Sequence, residues 1–387
     1  MQETITPTAS YTLQQLAERI EGASVVGNQS LLVRDLCHPK LVRHATDMAY
    51  IASESAWEIL RQGVTLGLVE QTLGVPADIQ HRIQDGEVAL LRVPRGRVAL
   101  AVLLSLFERR SILEEGIHPS AVIHPTAELG EGVCIGACVT VGENSHIEDG
   151  VQIYPNASVG ANVRVGADSI LYSGSRIGDR CQLGKRCIIQ PNAVIGGDGF
   201  SYVTPKEARH EKKENSETHQ VDSILRINSV GNVVLEDEVE VGACSCIDRG
   251  TLAETRIAKG TKIDNLVQIG HNNRIGQNGL IVSQVGIAGS CQIGNGVVIA
   301  GQVGIGDHLK IEDDVIIMAC SSVMRDIKAG STVLGSPAIP HKEAMANIAA
   351  SLKIRDLVKE LKAMKGKLKA FEEKAELLEQ FLNTNQN

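Results

Sequence analysis

Aromatic side chains are scarce in this chain. Phe, Trp and Tyr make up only 3% of its 387 residues, whereas it has 38 glycines. A protein with this composition is predicted to fill its core with aliphatic side chains and to make many tight turns. The nine cysteines are scattered and form no CxxC pair. They are therefore expected to be reduced thiols in a cytoplasmic protein rather than a disulfide framework.

The sequence also lacks features that would indicate a membrane or nucleic-acid protein. It has no uninterrupted apolar run of 18 residues, and no basic segment followed by an apolar stretch at its start. We therefore expect no integral membrane segment and no secretory leader. The net charge of −8 gives no reason to expect nucleic-acid binding.

What the chain does contain is a six-residue repeat of aliphatic side chains. Every sixth residue from Ile117 to Ile195, and again from Ile257 to Val323, is Ile, Leu or Val, and Leu235, Val241 and Ile247 bridge the two runs. Six is a multiple of the strand period of two and not of the helical 3.6, so these side chains point one way along short strands. This spacing is the signature of a hexapeptide β-helix.

The residue four positions after each aliphatic is slim. It is Ala127, Val133 and Val139 in early repeats, and Ser169, Cys181 and Cys187 in later ones. A narrow interior that admits only a small second side chain explains this restriction. We interpret the cysteines of this slot, with Cys291, as core residues rather than redox or metal ligands.

The regions on either side of the repeat differ in pattern. Residues 1–110 mix helix-like pieces with short apolar runs and predict a small α/β domain. Residues 111–339 form the β-helix, interrupted by a loop at 197–229 whose stretch PKEARHEKKENSETHQ is polar and charged. Residues 340–387 predict a helical extension, because Ile354, Leu357 and the following apolar residues alternate steps of three and four.

Five segments in order resemble a known family. They are GGDGFSY (196–202), EVGACSCIDRG (240–250), KIDNLVQIGHNNRIG (262–276), AGS (288–290) and VMR (323–325). Together they are similar to the UDP-3-O-acylglucosamine N-acyltransferases of lipid A synthesis, and the resemblance covers nearly the whole chain. It implies a mainly β protein: a left-handed parallel β-helix with a small N-terminal α/β domain and a C-terminal helical extension, assembled as a homotrimer.

The resemblance also implies the reaction, in which the amine of a UDP-linked glucosamine attacks a 3-hydroxyacyl thioester carried by acyl carrier protein. It places the general base at His271 and the oxyanion donor at the backbone amide of Gly289. The repeat supports this pair independently, because Gly289 follows His271 by one complete coil of three hexads. No metal and no cofactor is implied beyond the phosphopantetheine that the carrier brings.

Further residues match positions that bind substrate in the family. His308 and Arg325 match groups near the thioester and its pantetheine arm, and Asp264 and Asn265 match groups that hold the sugar or orient the base. From the sequence alone, Asp264 and Asn265 could equally satisfy turn amides, and His308 could be a surface residue. Tyr50 matches an aromatic residue that stacks on the uracil.

Two other positions of the expected uracil site depart from the family, since Ser53 and Ala56 replace an Asn and an aromatic. Trp57, one position away, is more typical of a core residue. Asp198 in GGDGF is expected to anchor its loop rather than to bind a ligand. The lysines and arginines between Lys353 and Lys369 are either a solvated face or a docking patch for an acidic partner.

Three other functions fit the hexads alone. They are an O-acyltransferase acting on UDP-N-acetylglucosamine, an acyltransferase that uses coenzyme A thioesters, and a scaffold without enzymatic activity. The order of the five segments favours the N-acyltransferase.

Overall fold

A computed structural model describes residues 10–38, 40, 42, 44–107, 113–203, 224–335 and 341–384. The chain folds into two compact units, Met1–Ile112 and Leu113–Asn387. The polar stretch PKEARHEKKENSETHQ, for which we predicted a solvated loop, lies outside the described residues.

The first unit is built on a five-stranded sheet. Its central strands are nearly continuous aliphatic runs, as expected for parallel strands covered on both sides. The sheet has the order Ser24–Val26, Ala89–Val93, Leu66–Glu70, Asp47–Ile51 and Asp35–Cys37, and only the first of these strands is antiparallel to its neighbour. A second, antiparallel pair joins Tyr11–Thr12 to Leu32–Val33.

Helices cover both faces of this sheet and enclose two apolar clusters. The helices are Leu13–Ala17, the 3₁₀ turn Glu54–Trp57, Glu58–Arg61, Ala77–Gln84 and Gly96–Leu106. The first begins with a capping box, in which the Thr12 hydroxyl accepts from the Gln15 N–H and the Gln15 side chain accepts from the Thr12 N–H. Trp57 is buried in the second cluster, so it is a core residue.

The second unit is a parallel β-helix with three sheets, which we name by the order in which the chain first visits them. The first face contains Gly116–Ile117, Cys134–Ile135, Gln152–Ile153, Ile170–Leu171, Ile188–Ile189, Glu240–Val241, Lys262–Ile263, Leu280–Ile281, Val298–Ile299, Ile316–Ile317 and Thr332–Val333. The second face contains Val122–Ile123, Thr140–Val141, Ser158–Val159, Arg176–Ile177, Val194–Gly197, Cys246–Asp248, Gln268–Ile269, Gly286–Ile287, Gly304–Ile305 and Ser322–Val323. The third face contains Glu128–Leu129, His146–Ile147, Arg164–Val165, Gln182–Leu183, Asn232–Leu235, Glu254–Ile257, Arg274–Ile275, Gln292–Ile293 and Lys310–Ile311.

Each aliphatic of the six-residue repeat lies in one of these strands. Beyond the first coil these side chains are buried and form one continuous core. Paired residues in neighbouring strands of one face are 18 positions apart in the sequence, as in the pairing of Ile269 with Ile287. Two insertions change this offset. The larger lies between Ile195 and Leu235, and the smaller lies between Ile247 and Ile257.

The slim interior slot also holds polar residues that connect the coils. Ser169 is fully buried; its hydroxyl donates to the Gly184 carbonyl and accepts from the Cys187 N–H, both at 3.0 Å. Thr261 makes the same pair of bonds in a later coil, to Gly276 and Gly279. Most buried polar atoms in the slot are satisfied in this way, whereas Ser175 Oγ has no hydrogen-bond partner among the described residues.

The slot cysteines are core residues, as predicted. Cys181, Cys187 and Cys291 are fully buried. Burial raises the pKa of the Cys187 thiol to about 11, so it remains protonated and unreactive near neutral pH.

The larger insertion contains a short antiparallel ribbon, in which Tyr202–Val203 pairs with Leu225–Arg226.

After the last coil, a single helix runs from His341 to Thr384. Among the described residues, no helix is both long enough and apolar enough to span a bilayer. The predicted fold class, a left-handed parallel β-helix with a small N-terminal α/β domain and a C-terminal helix, is confirmed.

Candidate active site

His271 lies in the turn that follows the second-face strand Gln268–Ile269 and leads into the third-face strand Arg274–Ile275. We call this edge, between the second and third faces, the His271 corner. Gly289 occupies the same turn position one coil later, since Ile287 pairs with Ile269. The turns are tied together by backbone bonds, because the Ser290 N–H donates to the His271 carbonyl at 2.9 Å.

The imidazole of His271 is held between two glycines. A Cβ on Gly289 would lie 2.7 Å from Cε1 and 2.9 Å from Nε2 of the ring. A Cβ on Gly199 would lie 2.8 Å from both Cβ and Cδ2 of the same histidine. These distances are shorter than any normal contact between two carbon or nitrogen atoms. The half-buried ring can therefore occupy this place only because neither Gly289 nor Gly199 has a side chain.

The Gly289 amide is the candidate oxyanion donor. The carbonyl of Gly289 accepts from the His308 N–H at 3.0 Å, whereas its own N–H donates no hydrogen bond to any part of the chain that the structure describes. A backbone donor without a protein acceptor beside an imidazole can bind the oxygen of a polarised carbonyl.

Two asparagines fix the turn that carries His271. Asn272 adopts a left-handed conformation with φ 60°, and its Oδ1 accepts from the Thr251 N–H at 2.9 Å. This bond orients the amide so that Nδ2 lies 3.0 Å from His271 Nδ1. Because an amide nitrogen can only donate, Nδ1 accepts, and the neutral ring carries its proton on Nε2.

Asn273 is fully buried in the interior slot. Its Nδ2 donates to the carbonyls of Gly270 and Ala288 at 2.7 and 2.9 Å, and its Oδ1 accepts from the Cys291 N–H at 2.9 Å. It therefore joins the turn that carries His271 to the turn of the next coil that holds Gly289.

The GGDGF segment, residues 196–200, covers His271 from the other side. Asp198 forms ion pairs with Arg226 and with Arg249, whose Nε lies 3.7 Å from Asp198 Oδ1. Arg249 also donates to the Gly196 carbonyl at 2.7 Å and is largely buried. Asp198 thus anchors the segment, as expected from the sequence, and keeps Gly199 against the imidazole.

Asp248 adds a carboxylate to the site. It ends the second-face strand one coil before His271. Burial raises the pKa of Asp248, and the negative charge of Asp198 raises it further. The hydrogen bond from Gln268 and the charge of a protonated His271 lower this pKa. Burial is the largest of these effects, so the pKa of Asp248 lies above the ordinary value for an aspartate.

His308 and Arg325 both lie at the His271 corner in later coils. Arg325 occupies the same turn position as His271, since Ile305 pairs with Val323 and each coil adds 18 residues. His308 is one position beyond that column, in a left-handed conformation with φ 58°. Both side chains are exposed. The structure therefore places His271, Gly289, His308 and Arg325 along one edge of the β-helix.

Asp264 and Asn265 lie at a different corner, between the first and second faces. Asp264 accepts from the N–H groups of Asn265 and Ser283 at 2.7 and 3.0 Å. Asn265 accepts from the Ala243 N–H at 2.6 Å. These oxygens satisfy turn amides, and neither side chain hydrogen-bonds His271.

Between these two corners, the second face has no outward side chains on two strands close to His271. The outward-pointing residues of two successive strands are Gly286 and Gly304, and a Cβ on either would meet no atom within 4 Å. The missing side chains leave a strip of bare backbone on this face beside the His271 corner.

In the first unit, Tyr50 lines a cavity of about 640 Å³. The cavity is also lined by Ser53 and Ala56, the two positions that depart from the family's pattern, and by His38 and Lys40. Most of its lining surface is apolar, and polar side chains such as Ser55, Glu58 and Gln62 also reach it, a combination that occurs in small-molecule sites. Gly96 permits the ring of Tyr50 to reach its place, because a Cβ at Gly96 would collide with the tyrosine hydroxyl.

One group of possible metal ligands occurs among the described residues. Ligand atoms of Asp35, Cys37 and Asp47 lie within 4.8 Å of one another. Cys37 Sγ already donates to Asp35 Oδ2, and Asp47 Oδ2 accepts from the His44 N–H, so the group has structural bonds of its own.

Sequence reasoning did not identify Gly199, Asp248 and Asn273 as parts of the site. Gly199 lies in an insertion where the repeat gives no register, and the burial of Asp248 depends on that same insertion. Asn273 could have been found, because it occupies the slim slot where an amide must be hydrogen-bonded.

Some known proteins match only part of the chain. A family model described as the C-terminal domain of GMPPB matches residues 117–200. A UDP-N-acetylglucosamine acyltransferase structure from Arabidopsis is 22% identical, covers 57% of this chain and 71% of its own, and has a TM-score of 0.47.

Curated relatives match over far more of the chain. A UDP-3-O-acylglucosamine N-acyltransferase of Anaeromyxobacter dehalogenans (strain 2CP-1) is 37% identical over an alignment of 372 positions that covers 92% of this chain and 96% of the relative. Proteins with the same name from Desulfotalea psychrophila and Porphyromonas gingivalis are each 41% identical over 92% of this chain, covering 96% and 97% of their own. The chain is an acyltransferase and belongs to the UDP-3-O-acylglucosamine N-acyltransferase family.

Proposed function

We propose that this protein transfers a 3-hydroxyacyl group from acyl carrier protein to the 2-amine of UDP-3-O-acylglucosamine in lipid A synthesis. The observation that carries the proposal is the arrangement at the His271 corner, where an imidazole packs against a glycine whose N–H has no acceptor in the described protein. The names of the relatives supply the substrate class.

In this mechanism His271 is the general base. The amine nitrogen attacks the thioester carbonyl and forms the C–N bond while His271 takes its proton. The Gly289 N–H binds the oxyanion of the tetrahedral intermediate. When the C–S bond breaks, the imidazolium returns the proton to the sulfur, and the carrier leaves as its thiol. In the free protein the Asn272 amide occupies Nδ1, so the incoming amine displaces that amide.

The column above His271 receives the rest of the donor. We assign His308 to the thioester end and Arg325 to the phosphate of the pantetheine arm, since both are exposed at the same edge in successive coils. The strip of bare backbone at Gly286 and Gly304 receives the acyl chain. Asp264 and Asn265, at the far corner of the second face, contact the acceptor sugar through the oxygen lone pairs that their turn bonds leave free.

The cavity of the first unit is assigned to the uracil. Tyr50 is its stacking residue, as the family's pattern implies. Because this chain has Ser53 and Ala56 where the family has an Asn and an aromatic residue, Tyr50 is the only Phe, Trp or Tyr side chain in the cavity lining that the structure describes. A ring of this kind can hold a planar base by offset stacking.

We further propose that the protein is a cytoplasmic homotrimer and that its basic C-terminal helix receives the acidic carrier. None of the nine cysteines is in a disulfide, which suits a reducing compartment. The exposed lysines and arginines from Lys353 to Lys369 provide the positive surface. Binding of this type weakens as ionic strength rises, so the activity is expected to be salt-sensitive.

Mass spectrometry of the product tests the proposal. The purified protein is incubated with UDP-3-O-acylglucosamine and a 3-hydroxyacyl acyl carrier protein, and an amide-linked acyl group is expected. Parallel reactions use UDP-N-acetylglucosamine as acceptor or the coenzyme A thioester as donor. A faster reaction with either replacement would contradict the assignment and favour an O-acyltransferase or a coenzyme A-dependent enzyme.

Replacing the base tests the mechanism. His271→Ala is expected to lower kcat by about 10³-fold, the usual contribution of a general base. His146→Ala is the control, because His146 is a surface residue paired with Glu128 in an early coil. Full activity in His271→Ala would refute this mechanism.

A further inference from the structure

Asp248 lies at a position of the His271 corner that small residues otherwise fill. We call it the corner position, and it is the residue that follows each inward aliphatic of the second face. Its occupants in successive coils are His124, Gly142, Gly160, Gly178, Gly196, Asp248, Gly270, Ala288, Gly306 and Met324. A Cβ on Gly142, Gly160 or Gly178 would lie 2.6, 2.3 or 2.6 Å from another part of the chain. Regular coils therefore exclude a large side chain here, and between the two ends of the column only Asp248 has one.

Bare backbone flanks Asp248 on both sides. Asp248 pairs with Gly197 in the coil before. It lies level with Gly270 in the coil after, by the register of the second face. Neither glycine has a side chain, and the aspartate is only half-buried. His271 follows Gly270 directly, so the carboxylate and the imidazole project from adjacent coils, about 4.8 Å apart and one residue out of register.

Asp248 also lacks a counter-ion within the described part of the chain. Asp198, the other carboxylate beside His271, forms ion pairs with Arg226 and Arg249. Asp248 forms none, and the titratable groups that act on its charge are Asp198 and a protonated His271. A partly buried carboxylate without a partner is unfavourable for the fold, so a cationic group of the substrate is the partner that fits it.

The carboxylate does not orient the catalytic base. Nδ1 of His271 lies 3.0 Å from Asn272 Nδ2, and no described hydrogen bond joins the ring to Asp248. The side-chain bond that Asp248 receives comes from Gln268. An aspartate that positions a catalytic histidine holds one of the ring nitrogens. Asp248 holds neither, so it is available to act on the substrate.

The proposed reaction leaves one proton without an acceptor. A primary amine such as the 2-amine of a glucosamine is largely an ammonium ion near neutral pH. An ammonium nitrogen has no lone pair, so it must lose one proton before it attacks, and it loses a second as the C–N bond forms. His271 takes the second proton and passes it to the thiol sulfur. The first proton therefore needs another base.

We propose that Asp248 is this base, and that it binds the ammonium group of the acceptor beside His271 and takes its first proton. The inference rests on the proposed function. The N–H bond breaks, an O–H bond forms on the carboxylate, and the electron pair stays on the nitrogen for its attack on the thioester. Asp248 releases the proton to water before the next turnover. Burial raises the pKa of Asp248 above that of an ordinary aspartate, which brings it closer to the pKa of the amine and makes the transfer easier.

The pH dependence of Asp248→Asn tests the proposal. The variant can use only acceptor molecules that arrive with a neutral amine, whereas the unmodified protein uses the ammonium form. The measurement is kcat/KM for UDP-3-O-acylglucosamine over a pH series, with the pKa of its amine determined by NMR titration. The ratio of the unmodified to the variant kcat/KM should fall about tenfold for each pH unit between the pKa of Asp248 and that of the amine. The ionisation of His271 affects both proteins and cancels in the ratio.

Glu254→Gln is the matched control. Glu254 is a partly buried carboxylate on the third face and pairs with Arg256, so its ratio should show no such slope. A ratio for Asp248→Asn that is the same at every pH, in a protein that forms the amide, would overturn the role of Asp248 and leave the proposed function intact. An unmodified protein that forms no amide would overturn both.

Discussion

At the scale of single residues, the place of the His271 ring depends on two absent side chains. Gly289 lies one coil later and belongs to the repeat, whereas Gly199 belongs to the GGDGF segment that the Asp198 ion pairs anchor. The imidazole is therefore positioned by the regular coil on one side and by an insertion on the other. Precise placement of this kind matters, because a shift of about 1 Å in a catalytic group can cost about 10²-fold in rate.

Gly199→Ala tests that placement without changing the proposed oxyanion donor. The new methyl would lie 2.8 Å from His271 Cβ and Cδ2, so the ring must move. We expect kcat to fall about 10²-fold while the thermal unfolding midpoint changes little.

Gly197→Ala, in the same segment, is the matched control. Its methyl would meet only Val194 Cγ1, at an ordinary 3.8 Å, so its activity should stay close to that of the unmodified protein. Equal losses in the two variants would mean that the segment tolerates no side chain at all, and that the contact with His271 is not the cause.

Asp248 predicts a dependence of stability on pH. Burial raises the pKa of this carboxyl, so the folded state disfavours its charged form. Protonated Asp248 therefore makes its full contribution to folding stability below the ordinary aspartate pKa. That contribution is lost as pH rises through the raised pKa of Asp248. Asp248→Asn keeps an acceptor for Gln268 and has no charge, so it should unfold at a higher temperature than the unmodified protein near neutral pH.

Thermal unfolding of the two proteins at a series of pH values measures this effect. The difference between the midpoints should shrink as pH falls towards the ordinary aspartate pKa, where both side chains are neutral. A constant difference across the whole range would show that the exchange of Asp for Asn acts through packing and not through charge.

At the scale of elements, the slot residues connect one coil to the next. Asn273 is the strongest example, with three hydrogen bonds to backbone groups in and around the two turns that carry His271 and Gly289. Serines and a threonine perform the same task elsewhere with two bonds each, as Ser169 does for Gly184 and Cys187.

Asn273→Ala should therefore reduce both stability and activity. It leaves two carbonyls and one N–H buried without partners, which is expected to cost about 3 kcal/mol of unfolding free energy. Denaturant unfolding and the transferase assay check the two effects. Asn273→Ser, which copies the slot residue of other coils, should recover part of both. A variant with alanine that is as stable as the original would show that water replaces the lost bonds.

The six-residue period made the elements predictable from sequence, and its interruptions limited that prediction. A strand, an inward aliphatic and a slim slot recur at fixed spacing, so the stacking of Gly289 on His271 followed from counting. The period also implies that Asp264 lies at another corner, although the family resemblance had grouped it with the base. Gly199 could not be placed, since residues 196–229 leave the repeat and only tertiary contacts return Gly199 to His271.

At the scale of the whole molecule, the three faces of the β-helix differ in what they show to water. Outward positions of the third face are mainly charged or polar, as at Arg256, Arg274 and Lys310. The first face carries outward Leu280, Val298 and Ile316 in three successive coils. Leu280 is 47% exposed and Ile316 is 41% exposed. Contiguous exposed aliphatics on an otherwise polar prism indicate a surface that another protein covers.

We expect copies of this chain to cover the first face in the proposed trimer, and Leu280→Arg tests this. An arginine in the middle of the aliphatic column would be buried without a partner charge, so the trimer should dissociate at a higher protein concentration than before. Sedimentation velocity over a dilution series measures that shift. Gln292→Arg, an outward residue of the third face, is the control and should leave the assembly unchanged. If Leu280→Arg remains as trimeric as Gln292→Arg at every concentration, the first face is not the interface.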